Sequence, residues 1–253
     1  KGKVFQTKAY EIPEGSRTSK GRAIVNFLNL AAGEKISSIL SLKSKKDEAK
    51  EKYIILGTKN GIIKKSAFEE FENVRRTGII AINLKDDDTL SWVKTTSGND
   101  EVILVTKDGI AIRFSEKDVR PMGRSASGVG AVRLKKGDEV VGVDIIRADK
   151  ESQGSNLLVI MENGYGKQTN LKEYKKQKRG GSGIKTANIT SKTGSIIAAK
   201  ILSGEEKDLI AISEQGQVIR TPLESVSVLG RATQGVRVMK LETGDKVASV
   251  TCI

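Results

Sequence analysis

The sequence predicts an all-β fold, a propeller-like ring of four-stranded blades, on three observations. A pair of glycines recurs five times at nearly constant spacing, aliphatic runs end in turn dipeptides just before the first glycine of each pair, and helical periodicity is almost absent. The first glycines are Gly2, Gly61, Gly109, Gly164 and Gly216; their partners are Gly21, Gly78, Gly128, Gly183 and Gly235, at offsets of 19, 17, 19, 19 and 19. Successive first glycines stand 59, 48, 55 and 52 residues apart, a period that belongs to solenoids, propellers and arrays. This divides one domain, 1–253, into repeats of about 1–59, 60–107, 108–162, 163–214 and 215–253.

Each unit reads as strand, tight turn, strand. The runs Tyr53 to Leu56, Val102 to Val105, Leu157 to Met161 and Leu209 to Ile212 lead into Asn60-Gly61, Asp108-Gly109, Asn163-Gly164 and Gln215-Gly216. Asn-Gly and Asp-Gly favour a type I′ hairpin, which needs positive φ at both central residues. After the second glycine a further aliphatic stretch reaches a Leu-x-x-Gly-acid turn at Leu30, Leu134 and Leu241, replaced in the second and fourth repeats by Asp86-Asp87-Asp88 and Lys192-Thr193-Gly194. Four short strands per unit is the content of a propeller blade. The one helical candidate, Lys43 to Lys52, is so charged that a solvated loop insertion is expected there.

The chain begins at a hairpin glycine with no strand before it. Either it is cut from something larger, the expectation preferred here, or the final strand near Val247 to Ile253 completes the first blade.

Forty-four Lys and Arg against 31 Asp and Glu give a formal charge of +13, which points to an anionic partner such as nucleic acid. The single cysteine, Cys252, allows no internal disulfide and fits a reducing compartment. No apolar run approaches the length of a bilayer span, so a cytoplasmic protein without a membrane partner is expected. The chain has no histidine, which removes the commonest general base, the usual catalytic triads and most zinc sites. Gly166-Lys167-Gln168-Thr169 lacks the upstream glycine of a phosphate loop, and Asp86 to Asp88 reads as a turn rather than a metal site. No catalytic residue and no metal site are expected.

The basic residues obey the repeat. Four positions before the second glycine stand Arg17, Arg124, Arg179 and Arg231, with Arg75 and Arg76 in the shorter second repeat and Lys20 beside Gly21. Three or four positions after the first glycine stand Lys64, Lys65, Arg113, Lys167 and Arg220. In a ring of equivalent blades these side chains form a belt suited to a polyanion that bends around the disc. The densest copy runs from Lys172 through Lys175, Lys176, Gln177, Lys178 and Arg179 to Gly180, Gly181 and Gly183. Its glycines would let the backbone come close to phosphates and present N–H groups to them.

Gln177-Lys178-Arg179-Gly180-Gly181-Ser182-Gly183 resembles the signature box of the C-terminal domain of DNA gyrase A subunits, Gln-x-x-Gly-Gly-x-Gly, and the repeats as a whole resemble that domain. Tyr10-Glu11-Ile12-Pro13, Asn163-Gly164-Tyr165-Gly166-Lys167 and Gly230-Arg231-Ala232-Thr233-Gln234-Gly235-Val236 extend the similarity over essentially all 253 residues. The resemblance implies a β-pinwheel, whose five or six blades exchange strands and wrap double-stranded DNA around a basic perimeter. It implies a monomeric, non-catalytic part of an A2B2 type IIA topoisomerase, joined to the rest of the gyrase A protein and to the gyrase B protein. The cleavage tyrosine, ATP and Mg2+ then belong elsewhere in the holoenzyme, and this domain needs no cofactor. The corresponding domain of topoisomerase IV and a propeller that scaffolds proteins are the alternatives. One departure stands out: the family's box lies in its first blade, and here it lies in the fourth repeat. Either the segment is a secondary box with the first blade upstream of Lys1, the preferred reading, or the ring is arranged differently.

Overall fold

A computed structural model describes residues 2–16, 18–41, 51–148 and 155–253. Of the helical candidate at 43–52, residues 43–50 lie outside them. Taken with the strand that leads into its first glycine, each of the second, third and fourth repeats builds an antiparallel sheet from three of its own strands. In the third, β6 (Glu101–Thr106) lies between β7 (Ile110–Ser115) and β9 (Val140–Ile146). The second has β2 (Tyr53–Thr58), β3 (Ile62–Ala67) and β5 (Leu90–Thr96); the fourth has β10 (Asn156–Met161), β11 (Tyr165–Asn170) and β13 (Ile196–Leu202).

The fourth strand of every such sheet comes from the next repeat. The dipeptides after Gly128, Gly183 and Gly235 cross over: β8 (Val129–Gly130) pairs with β3, β12 (Ile184–Lys185) with β7, and β16 (Val236–Arg237) with β11. In the same way β4 (Ile79–Ile80) pairs with β1 (Lys3–Val4). Each of these repeats thus supplies four strands but gives one away. The fifth sheet, β15 (Val218–Pro222), β14 (Asp208–Ser213) and β17 (Val247–Cys252), has three strands among the described residues. The final strand therefore belongs to the fifth sheet and does not complete the first.

The long strands read as unbroken aliphatic runs because both of their faces are covered. Along β6, Val102 and Leu104 pack into one cluster with Ile55 and Ile63 of the second sheet, while Ile103 and Val105 pack into another with Leu157 and Val159 of the fourth. Leu158 and Ile160 then meet Leu209 and Ala211. The core is a series of slabs between sheets. β9 neighbours β5 and β13, and β13 neighbours β17, so these strands line the interior of the ring and the exchanged dipeptides form its outer edge.

One detail of the hairpins differs from the sequence expectation. The hairpins are not type I′, because Asn60, Asp108 and Asn163 keep negative φ and only the glycines are left-handed. The amides of Gly61, Gly109 and Gly164 close i to i+3 bonds onto Thr58, Thr106 and Met161 at 3.1 Å, a turn followed by a glycine bulge. The acidic turn at 86–88 serves the same hairpin: Asp87 takes φ 64, where other repeats place glycine, and Asp88 Oδ1 accepts the amide of Asn60 at 3.0 Å.

Candidate nucleic-acid interface

The loops before Gly128, Gly183 and Gly235 lie at the outer edge because the dipeptide that follows each is the outermost strand of the preceding sheet. Arg179 and Arg231 occupy equivalent places there and make equivalent contacts. Nη1 of Arg179 donates to the carbonyl of Gly130 in β8 at 3.1 Å, and Nη1 of Arg231 to that of Lys185 in β12 at 2.9 Å. Arg179 Nε also reaches Asp118 O at 2.8 Å. Both guanidiniums thus fasten their loops to the preceding repeat, and their side chains are partly engaged rather than free. Arg124 is half-buried in the corresponding loop.

Exposed cations surround these loops: Lys20, Arg75 and Arg76 in the first two repeats, and Lys172, Lys175, Lys176 and Lys178 in the box region. Lys176 forms an ion pair with Glu101, whereas Lys175 and Lys178 have no ion pair or side-chain hydrogen bond among the described residues. Arg17 lies outside those residues. Two further cations were missed by the sequence reading. Lys185 and Arg237 stand exposed on the exchanged strands, each two positions after its second glycine, and that shared offset was available in the sequence.

Four predicted members of the belt are not on the wall. Lys64, Lys65, Arg113 and Lys167 are buried, the first and last completely, because the next repeat covers the strands that carry them. Their donors are taken largely by backbone carbonyls of that repeat, with Ala81 of its own repeat also binding Lys64. Lys64 Nζ binds Ala81 O and Arg124 O at 2.6 and 2.5 Å, and Lys167 Nζ binds Gly230 O and Arg231 O at 2.7 and 2.6 Å and Thr233 Oγ1 at 3.1 Å.

One position later in each repeat, the donor meets the first carbonyl of the next repeat's 3-10 turn. Lys65 reaches Glu116 O, Arg113 reaches Leu171 O and Gln168 reaches Leu223 O, at 2.8, 3.0 and 2.7 Å. Arg113 also holds Glu101 at 2.5 Å, and Lys65 lies 3.6 Å from the Glu116 carboxylate. Desolvation pushes the ammonium groups of Lys64 and Lys167 down to about 8, partly offset by Glu70 and Glu173 respectively. Burial lowers Lys65 as well. Arg220 occupies the same position as Arg113 but on the fifth sheet, where it is exposed and pairs with Asp208 at 2.6 Å.

The box glycines also differ from expectation. Gly180 N–H donates to Ala131 O at 2.6 Å and Gln177 N–H to Arg113 O at 2.7 Å, while Gly181 O accepts from Arg133 N at 2.8 Å. Those two amides join repeats and are not available to a phosphate. Gly183, at φ 68, lies so near β7 that a Cβ would stand 2.6 Å from Ala111 O. The box therefore offers side-chain charge on a tightly seated backbone. No group of three or more His, Cys, Asp or Glu among the described residues could hold a metal ion. No helix among them is long and apolar enough to cross a membrane.

Strand-exchanged sheets arranged in a ring, with a basic loop at the outer edge of one blade after another, define a β-pinwheel of the gyrase and topoisomerase IV type. The chain belongs to the family described as DNA gyrase C-terminal domain, beta-propeller, matched over residues 1–43, 52–97, 100–147, 155–203 and 207–253. It is 45% identical over 250 residues, 99% of its length, to the DNA gyrase A protein of Staphylococcus epidermidis (strain ATCC 12228 / FDA PCI 1200), and 40% identical over the same length to that of Staphylococcus aureus (strain NCTC 8325 / PS 47). It spans 27% and 28% of those relatives, so about a quarter of their length. Among solved structures, a DNA gyrase A C-terminal domain matches with a TM-score of 0.79 at 30% identity, covering 99% of this chain and 79% of that one. The C-terminal domain of DNA topoisomerase IV matches with a TM-score of 0.86 at 25% identity, covering 100% and 76%.

Proposed function

We propose that this chain binds duplex DNA around its outer edge and bends it, serving as the DNA-wrapping domain of a gyrase A protein. The observation that carries the reading is the equivalence of Arg179 and Arg231. Successive blades present the same guanidinium beside the same exchanged strand, so a phosphate backbone following the edge meets a repeated arrangement. Lys175 and Lys178 add exposed charge at the fourth repeat, and Lys185 and Arg237 continue it. Lys64, Lys65, Arg113 and Lys167 have no part in the contact.

Side chains of this kind read phosphates and bendability rather than base edges, so little sequence preference is expected. The domain is non-catalytic and needs no cofactor. It acts within an A2B2 assembly with the remainder of the gyrase A protein and with gyrase B, where ATP and Mg2+ are used and the wrap gives negative supercoiling its direction. The setting is the bacterial cytoplasm. Topoisomerase IV is the second reading, favoured by the higher TM-score; the 45% identity to a gyrase A protein and the box at 177–183 favour gyrase. Sealing a nicked plasmid with ligase in the presence of the domain tests the proposal: a change in linking number is expected, and an unchanged distribution removes the chiral wrap.

A further inference from the structure

The two fully buried lysines do more than fill space between blades. Each belongs to a clasp that grips the arginine of the next repeat by its backbone on both sides. At the fourth sheet, Lys167 Nζ takes the carbonyls of Gly230 and Arg231, while Glu173, from the 3-10 turn at Leu171–Glu173, accepts the amide of Arg231 at 3.2 Å. At the second sheet, Lys64 Nζ takes the carbonyl of Arg124, while Glu70, from the turn at Phe68–Phe71, accepts its amide at 3.0 Å. An ammonium has three donors and a carboxylate only acceptors, so each clasp fixes which way the arginine's peptide groups face.

The clasp is absent where the loop is of the other kind. The residue three positions after Gly109 is Ile112, and the loop above it is the box, where a Cβ added at Gly181 would stand 3.5 Å from Ile112 Cδ1. Gly-Arg-Ser-Ala and Gly-Arg-Ala-Thr loops thus sit over lysine, and Arg-Gly-Gly-Ser sits over isoleucine. The buried charge goes with the loop that it holds.

We propose that Lys64 and Lys167 are positioning residues that set the conformation of the arginine loops at 123–126 and 230–233, and through it how Arg124 and Arg231 meet a DNA phosphate. The proposal rests on the DNA-wrapping reading. The charged neighbours of Lys167 are Glu173 and Arg231, and those of Lys64 are Glu70 and Arg124.

The test compares Lys167→Met, Arg231→Ala and the double variant in the 253-residue chain, with two readouts. Amide hydrogen exchange in the free protein should show protection lost at 230–233 in Lys167→Met while β10 and β13 stay protected. Binding to a DNA fragment across a salt series should show the same fold loss in Lys167→Met as in Arg231→Ala, each with a log-log slope shallower by about 0.9. The double variant should lose nothing more, because one change acts through the other. Additive losses, or wild-type affinity with exchange increased at 230–233, would overturn the positioning role and leave DNA wrapping standing. Wild-type affinity in Arg231→Ala would instead overturn DNA contact by that loop, with the exchange data still reporting the clasp. Lys167→Gln, which keeps an N–H donor, should recover part of both readouts and serves if the methionine variant does not fold.

Discussion

Arg113 in β7 and Leu171 in the next repeat are joined by a hydrogen bond from Nη1 to the leucine carbonyl at 3.0 Å, inside a buried junction that also contains Glu101. Gln168 makes the same connection to Leu223 one repeat later at 2.7 Å, and Lys65 makes it to Glu116 one repeat earlier at 2.8 Å. The ring is therefore assembled by polar side chains reaching forward as well as by exchanged strands. The residue diagonal to each donor across its hairpin, two places from the one directly opposite, suits it. Glu101 pairs with Arg113, Asn156 donates to Gln168 at 3.0 Å, and the Tyr53 ring lies 4.8 Å from the Lys65 ammonium.

Removing Arg113 leaves the buried Glu101 carboxylate with only the exposed Lys176 as an ion-pair partner among the described residues. Arg113→Met should destabilise the chain by about 3–5 kcal/mol, measured by urea denaturation, whereas Arg113→Met with Glu101→Leu should recover most of that loss. DNA affinity of the folded fraction should not change, since neither group is at the surface. A direct phosphate role for Arg113 would instead reduce affinity without reducing stability.

The exposed box lysines should behave in the opposite way. Lys175→Ala and Lys178→Ala break no hydrogen bond or ion pair among the described residues, so stability should stay within about 0.5 kcal/mol of wild type. Each should make the log-log salt dependence of DNA binding shallower by about 0.9, read by fluorescence anisotropy over a salt series. An unchanged slope in both would remove the box lysines from the interface.

Lys64 and Lys167 give a pH dependence of definite sign. Burial lowers them to about 8 from the ordinary 10.5, so between those values the unfolded chain binds more protons than the folded one. Their contribution to stability rises with pH across that window, and below about 8 the cost of burying the charge is present in full. Denaturation of wild type and of Lys64→Met/Lys167→Met from pH 7 to 10 isolates the effect. The wild-type advantage should grow with pH; a constant or shrinking difference would contradict the depressed values.

The glycine frame and the aliphatic runs were legible because both follow directly from a repeated blade. Gly61 and Gly164 need left-handed backbone in every copy, and Val102 to Val105 is continuous because both faces of β6 are buried. The arginines before the second glycine were legible by register, but not their engagement with Gly130 and Lys185, whose carbonyls lie 49 and 46 residues away. Lys64 and Lys167 were misplaced for a related reason. A charge on a strand reads as solvent-facing unless its acceptors are known, and those of Lys167 lie 63 to 66 residues ahead. The resemblance supplied the strand exchange, which no local pattern encodes: a two-residue strand has too few side chains to show where it pairs.

That exchange makes left-handed glycines unequal, which a pair of alanine substitutions can measure. Gly183 precedes an exchanged strand and Gly244 sits in the turn before β17, at φ 68 and 85, so alanine at either suffers the same backbone penalty of about 1–2 kcal/mol. At Gly244 nothing lies within 4 Å of the added methyl, and the penalty should end there. At Gly183 the methyl would meet Ala111 O at 2.6 Å and Ile110 Cγ2 at the same distance, both in β7, the strand that accepts β12. Relieving that overlap must move the exchanged strand away from its acceptor, weakening the Ile184–Ala111 pairing that joins two repeats. Gly183→Ala should therefore cost more than Gly244→Ala in urea denaturation, by about 1–3 kcal/mol, the usual cost of overpacking. Its amide exchange should rise at Ile184 and Lys185 but not in β9. Equal costs at the two glycines would mean that the close approach of the exchanged strand contributes nothing to holding the repeats together.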